Sequence, residues 1–142
     1  NITISAWVKT TQGGEGNVIA ANDSASAHPL MLGISGGNPY VNDGGDTRFP
    51  PAINDDQWHL LTYVRNGSTG YVYADGVQRG TYTSGFSLST VTRWSIGQEW
   101  DNVTPSDFYT GVVDDARFYN YALSEGEVGW LAGKTKPFDK PF

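Results

Sequence analysis

Residues 58–83 leave this chain little choice of fold. They hold three runs rich in aromatic and β-branched residues, 58–65, 71–74 and 77 onward, separated by two turn signals. Side chains of that kind suit a pleated, half-buried surface. Asp75-Gly76 is a two-residue turn that needs positive φ, which glycine adopts freely and aspartate tolerates. Asn66-Gly67, together with Gly70, reads as a longer and looser connection. The spacing predicts a three-strand antiparallel meander at the centre of an all-β domain.

The 142 residues make one domain, long enough to bury a core without staples. With 18 Gly, 7 Pro and 17% charged residues, the composition suits short strands joined by tight turns, not a helical bundle. Cysteine is absent, which removes disulfides and thiolate metal sites. A net charge of −6 speaks against nucleic acid or an anionic membrane as partner, since both reward Lys and Arg. No apolar run approaches the roughly 20 residues of a membrane span, so no membrane insertion is expected. There is no signal peptide, so the chain reads as a mature or excised piece.

From residue 2 to 9 the pattern alternates. Ile2, Ile4, Ala6 and Val8 fall on one face, and Thr3, Ser5, Trp7 and Lys9 on the other, the period of a half-buried strand. Further strands are expected at 18–21, 30–34, 40–41, 93–97 and 108–119, with loops at 12–16, 22–29, 42–51 and 99–105. The last loop is unusual in exposing Trp100 among polar neighbours. Only 124–131 reads as helix, because Ser124 and Glu127 form a capping box that satisfies orphan backbone donors, and Gly133 ends it. Trp7, Trp58 and Trp94 lie within strands as packing residues, while Trp130 and Leu131 are expected to dock the helix. The domain therefore spans 1–133, followed by a Pro- and Lys-rich tail, 134–142, that carries Phe138 and Phe142.

Three pieces line up along the chain. They are Ile4-Ser5-Ala6-Trp7-Val8-Lys9, then Trp58-His59 with Tyr73-Ala74-Asp75-Gly76, then 111–124, which reads GVVDDARFYNYALS. In this order and spacing they resemble the bacterial laminin G-like domains of the concanavalin A-like superfamily, over nearly the whole chain. The third piece is the most specific. The resemblance implies a jelly-roll sandwich of two curved antiparallel sheets, here with one short C-terminal helix. It also implies secreted, extracellular or cell-surface work, usually non-catalytic and often carbohydrate binding; function drawn from a fold alone is analogy. Members usually carry about two strands ahead of the first motif that this chain lacks. The expectation is of open sheet edges near the last strand, or of another segment adding there as a strand, either this chain's tail or a neighbouring copy's. Two prolines allow the tail an edge position only.

Relatives of this fold that hydrolyse sugars need two carboxylates flanking the bond, at roughly 5–10 Å. No strand here offers such a pair: Asp114 and Asp115 are adjacent and point to opposite faces, and Glu125 and Glu127 serve the helix start. No enzyme activity is expected. A sugar site wants an aromatic platform ringed by polar groups. Trp100, Asp101 and Asn102 have that composition, and Tyr40, Asp46, Arg48 and His28 lie on other loops that could converge with them. The partner is then a polysaccharide or glycan. The resemblance implies a structural Ca2+ with Asp114 as ligand; Asp43 and Asp46, in a Gly-rich loop, are a second candidate on composition. The other reading of Asp114 and Asp115 is a salt bridge with Arg117 or another basic group. Asn-x-Ser/Thr triplets begin at Asn1, Asn22, Asn66 and Asn102, and matter only in a host that glycosylates. The alternative function is an assembly subunit of a surface appendage or adhesin, with strands exchanged between copies of itself.

Overall fold

The computed structural model describes residues 1–23, 29–85 and 87–135. Its strands are β1 (Ile2–Lys9), β2 (Gly16–Asn22), β3 (Leu30–Ser35), β4 (Asn38–Asn42), β5 (Asp46–Arg48) and β6 (His59–Asn66). They continue as β7 (Thr69–Ala74), β8 (Val77–Thr83), β9 (Arg93–Ile96), β10 (Glu99–Asp101), β11 (Thr104–Ser106) and β12 (Val112–Tyr119), before helix α1 (Glu125–Lys134). Two five-stranded antiparallel sheets pack face to face, ordered β12-β1-β6-β7-β8 and β5-β4-β3-β2-β9, while β10 and β11 pair as a separate hairpin. This is the jelly-roll sandwich with one short C-terminal helix.

The meander forms as its sequence dictates. Asp75 and Gly76 both take positive φ, 56° and 78°, which matches the twist of the strands they join. Asp75 also ties the turn to β6, since its Oδ1 accepts from the Leu60 N–H at 2.9 Å. The other connection is tighter than expected. Asn66 pairs with Thr69, so only Gly67 and Ser68 separate β6 from β7. Gly70 is not part of that turn; it lies within β7, and the Tyr82 ring fills the space its Cβ would need.

Between the sheets, Ile4, Ala6 and Val8 of β1 meet Ile19, Leu32, Ile34, Val41, Leu61 and Val72. β1 departs from the half-buried expectation, because Thr3, Ser5 and Trp7 on its other face are buried too. The cause is α1, whose Val128 and Leu131 pack with Leu123 over Trp7, Leu60, Val64 and Tyr73. The capping box is present: Ser124 Oγ accepts from the Glu127 N–H, and Glu127 Oε2 accepts from the Ser124 N–H at 2.8 Å. Gly133 does not end the helix, which runs to Lys134 with Thr135 as its cap. The Thr135 hydroxyl donates to Leu131 O and accepts from Trp7 Nε1–H at 2.9 Å, so β1 anchors the helix end. Leu131 docks as expected, but Trp130 is 59% exposed, and Trp94, although within a strand, is 41% exposed.

A bulge interrupts β12. Ser5 pairs with Arg117 and Trp7 with Asp114, so Asp115 and Ala116 share the place opposite Ala6. Asp115 takes a left-handed φ of 47° there. Strict alternation of Asp114 and Asp115 is thereby lost.

Candidate functional site

Alternation places Ala20, Met31, Ser35, Tyr40, Asn42, Asp46 and Arg48 on the outer face of the second sheet, opposite core-facing Ile19, Leu32 and Val41. Three residues singled out by sequence, Tyr40, Asp46 and Arg48, come together on it. The Tyr40 hydroxyl donates to Asp46 Oδ1 at 2.8 Å, and Asn42 Nδ2–H donates to the same oxygen at 2.7 Å. Burial first, and then the Asp46 carboxylate, push the Tyr40 hydroxyl above the usual phenol range, so it stays a donor. Tyr40 is fully buried and offers no open ring face for stacking. It acts instead as a pillar under Arg48, whose guanidinium carbon lies 5.9 Å from the ring centroid. Arg48 Nε–H donates to Ser35 Oγ at 2.9 Å, so this exposed arginine is oriented by two contacts. Glu15 stands beside the Tyr40 hydroxyl. Burial raises its carboxyl above the usual range, the tyrosine opposes that, and Asp107 and Asp46 add to the rise.

Residues 99–105, expected as a loop, belong to the β10–β11 hairpin, with Asn102 at φ 57° in its turn. Asn22 ties the hairpin onto β2, since its Nδ2–H donates to Trp100 O at 3.2 Å and to Glu99 Oε2 at 3.3 Å. Strand alternation divides the expected trio. Glu99 and Asp101 turn one way, and both accept from Ser106 Oγ; Trp100 turns the other. The Arg93 guanidinium carbon sits 4.2 Å from the Trp100 ring centroid, and Arg93 Nη1–H donates to Asn102 O at 3.2 Å. Trp100 is thus a half-exposed ring backed by a cation.

Cross-strand register sets Asn42, Met31, Ala20 and Ser95 in one row, with Asp46 beside Asn42 and the Asn22–Arg93 pair one step further on. From β5 to β2 is three strand spacings, roughly 14 Å at about 4.8 Å each. Arg48 and Trp100 therefore stand at opposite margins of this outer face, whose middle is the buried cluster of Ala20, Met31 and Tyr40. His28 lies outside the described residues. Sequence reasoning missed Ser35, Asn42, Glu15, Asn22 and Arg93. The parity of Ser35 and Asn42 was readable, but which strands lie side by side was not.

A cavity of about 210 Å³ lies elsewhere, between β12 and α1, lined by Arg117, Tyr119, Tyr121, Leu123, Glu127, Trp130 and Leu131. Its charged groups are already engaged: Arg117 on both Asp115 carboxylate oxygens at 2.9 and 2.6 Å, and Glu127 on the helix cap. Of the glycosylation triplets, Asn66 and Asn102 stand exposed on turns, whereas Asn22 is buried.

The carboxylates considered for calcium accept hydrogen bonds from within the chain. Asp114 Oδ1 accepts from the Asp115 N–H at 2.7 Å, and Asp115 is held by Arg117, the salt-bridge reading. Asp43 and Asp46 do not converge. Asp43 is buried and accepts from the Tyr63 and Tyr82 hydroxyls, both at 2.9 Å, whereas Asp46 serves Tyr40 and Asn42 on the outer face. Among the described residues no group of three or more His, Cys, Asp or Glu is placed to hold a metal ion.

No curated protein matches this chain. A heptameric SAP-like pentraxin from Limulus polyphemus shares the fold at a TM-score of 0.76 and 21% identity, over 92% of this chain and 69% of that one. The CBM40 of Ruminococcus gnavus IT-sialidase, solved with α2,3-sialyllactose, gives 0.80 at 16% identity, over 93% and 82%. The receptor binding domain of botulinum neurotoxin type G gives 0.69 at 12% identity, over 95% of this chain and 38% of that one. The Laminin_G_3 family profile, described as the concanavalin A-like lectin/glucanases superfamily, matches residues 1–129. With its paired five-stranded sheets and that match across most of its length, the chain belongs to the laminin G-like domains of the concanavalin A-like lectin/glucanase superfamily.

Proposed function

We propose that this domain is a non-catalytic glycan-binding module of a secreted or surface-displayed protein, and that the sugar lies along the outer face from Arg48 to Trp100. Arg48 carries the reading. It is exposed, yet fixed at Nε by Ser35 and backed by the Tyr40 ring, so its guanidinium loses little freedom on binding. Sugars need fixed polar groups for their hydroxyls and a flat surface for their apolar faces. Arg48, Asn42 and Asp46 supply the former, and Trp100 over Arg93 supplies the latter at the far end. Of the carboxylates on this face, Glu99 is fully buried, Asp46 is engaged by Tyr40 and Asn42, and Glu15 lies beside the same Tyr40 hydroxyl; this reading assigns them to holding Tyr40 and the hairpin in place and not to hydrolysis. The sialyllactose complex of the R. gnavus module supports a glycan as ligand and brings acidic sugars forward, since a guanidinium matches a carboxylate.

A glycan array with neutral and sialylated members, followed by titration calorimetry on the hits, tests this. Arg48→Ala should weaken binding by about 1.5–3 kcal/mol, the range for a charged hydrogen bond. Trp100→Ala should cost about 0.5–1.5 kcal/mol. A folded protein that retains no glycan, or variants that bind as the parent does, would sink the reading.

A further inference from the structure

A second cavity, of about 370 Å³, opens beside the start of α1, between segment 121–127 and strands β6 and β7. It is larger than the cavity against β12 and falls within the about 300–1,000 Å³ of small-molecule sites. Both strands are inner members of the first sheet, flanked by β1 and β8, so no sheet edge is involved. Val64 pairs with Tyr71, and these two pack with Tyr73 toward α1 and not into the core between the sheets. Tyr121 enters from the segment after β12. It lies edge-on to Tyr119 at 5.9 Å and keeps 47% of its surface open.

Among the described residues the lining holds three tyrosines and two glutamates, with no lysine or arginine. Glu127 serves the helix cap, where its Oε2 accepts from the Ser124 N–H and hydroxyl, both at 2.8 Å. Glu125 stands outside the cap and is exposed. Burial first, and then the charges of Glu125 and Tyr71, push the Tyr73 hydroxyl above the usual phenol range, so both groups lie close to it. Tyr73 is 4% exposed, and its hydroxyl reaches Gln78 Oε1 only at a long 3.4 Å. The helix start adds about half a positive charge, which two carboxylates outweigh, so the cavity favours a cation. Tyrosine faces strengthen that preference and want carbon against them, which makes the cation organic. Asn66, exposed at the rim, and the tyrosine hydroxyls call for further polar groups on the ligand. A sugar supplies them and a simple alkylammonium ion does not.

We propose that this cavity binds a protonated amino sugar, with the ammonium against Glu125, the apolar ring face on Tyr121 and the hydroxyls toward Asn66. It is a second site, on the outer face of the other sheet from Arg48 and Trp100, and it stands whether or not they bind a glycan.

The test is titration of the 142-residue chain followed by NMR at about pH 6, below the range of an α-amino group. D-glucosamine is compared with N-acetyl-D-glucosamine and D-glucose, which keep the ring and lack the charge. Glucosamine should give saturable shifts at the Tyr71 and Tyr121 rings. The neutral sugars should bind about tenfold more weakly, the share of a charged hydrogen bond. Glu125→Gln, which leaves the capping box intact, should erase that preference. Tyr121→Ala should weaken binding by about threefold to tenfold, as for a lost aromatic contact. Circular dichroism checks each fold, and should Tyr121→Ala misfold, Tyr121→Leu serves. Arg48→Ala should leave the titration unchanged, which separates failure here from failure of the Arg48 site. Absence of a saturable shift with glucosamine overturns the proposal, and so does equal binding of the neutral sugars or a loss of binding in Arg48→Ala. A preference for the amine that survives Glu125→Gln in folded protein also overturns it, as diffuse attraction to a chain of net charge −6.

Discussion

Asp43→Ala should be among the most damaging single changes in this domain. The Asp43 carboxylate is 4% exposed and accepts from the Tyr63 and Tyr82 hydroxyls, both at 2.9 Å, and from the Gly85 N–H at 3.3 Å. Burial pushes the Tyr63 hydroxyl up to about 12, and burial also raises Tyr82, so both remain donors at any ordinary pH. Removing the carboxylate strands the two tyrosine hydroxyls, while the N–H of exposed Gly85 turns to water. Each unpaired buried group costs about 1–3 kcal/mol, so with relaxation and water entry the sum is about 2–5 kcal/mol. For a chain of this length that is a fall in Tm of about 5–15 °C, at about 2–4 °C per kcal/mol. Urea unfolding with a free m-value measures it directly. The cost should shrink by about 2 kcal/mol in a Tyr63→Phe/Tyr82→Phe background, because no hydroxyl is then left without its acceptor. A loss under about 1 kcal/mol in the parent, at unchanged m-value, would refute the reasoning, since it lies below the cost of a single stranded donor. If a chelator destabilised the parent as much as the mutation does, Asp43 would be serving a cation instead.

Two further outcomes follow from the structure. His59 is gripped at both ring nitrogens, by Asp75 at 2.7 Å and Asp55 at 2.9 Å; burial alone would lower its pKa, but the two carboxylates outweigh that and raise it. Its charge therefore adds stability that is full below about 6.5 and fades as pH rises through the raised folded value, while Asp55, lowered chiefly by His59, sets the loss at acid pH. Urea midpoints of the parent and His59→Gln should differ most near pH 5.5 and converge at alkaline pH; curves that stay parallel would contradict the ion-pair account. Trp7→Phe keeps most of the apolar volume but removes the Nε1–H bond to Thr135, so it should cost about 1 kcal/mol and quicken hydrogen exchange in the last turn of α1. Unchanged exchange there would mean that packing of Leu131 alone holds the helix end.

What the sequence by itself determined is local. Asp75-Gly76 makes its turn, residues 59–83 make their meander, and Ser124 caps the helix through Glu127, because each depends on groups a few residues apart. The motifs at residues 4–9 and 111–124 carried the family, and with it the sandwich. Tertiary structure decided whatever depends on which strands become neighbours. Alternation says that Trp7 and Ile4 face opposite ways; only the docking of α1 buries both. Trp94 and Trp130 look like core residues along the chain, yet nothing in the described fold covers them fully. Tyr40, Asp46 and Arg48 were legible as polar-site candidates, but their order was not: the tyrosine lies underneath and the arginine on top, an arrangement set by β3, β4 and β5 pairing in register. Asp43 and Asp46, three residues apart, serve opposite faces of one sheet. A side chain's direction is fixed by its own backbone, but its partners are supplied by strands that sequence separation does not reveal.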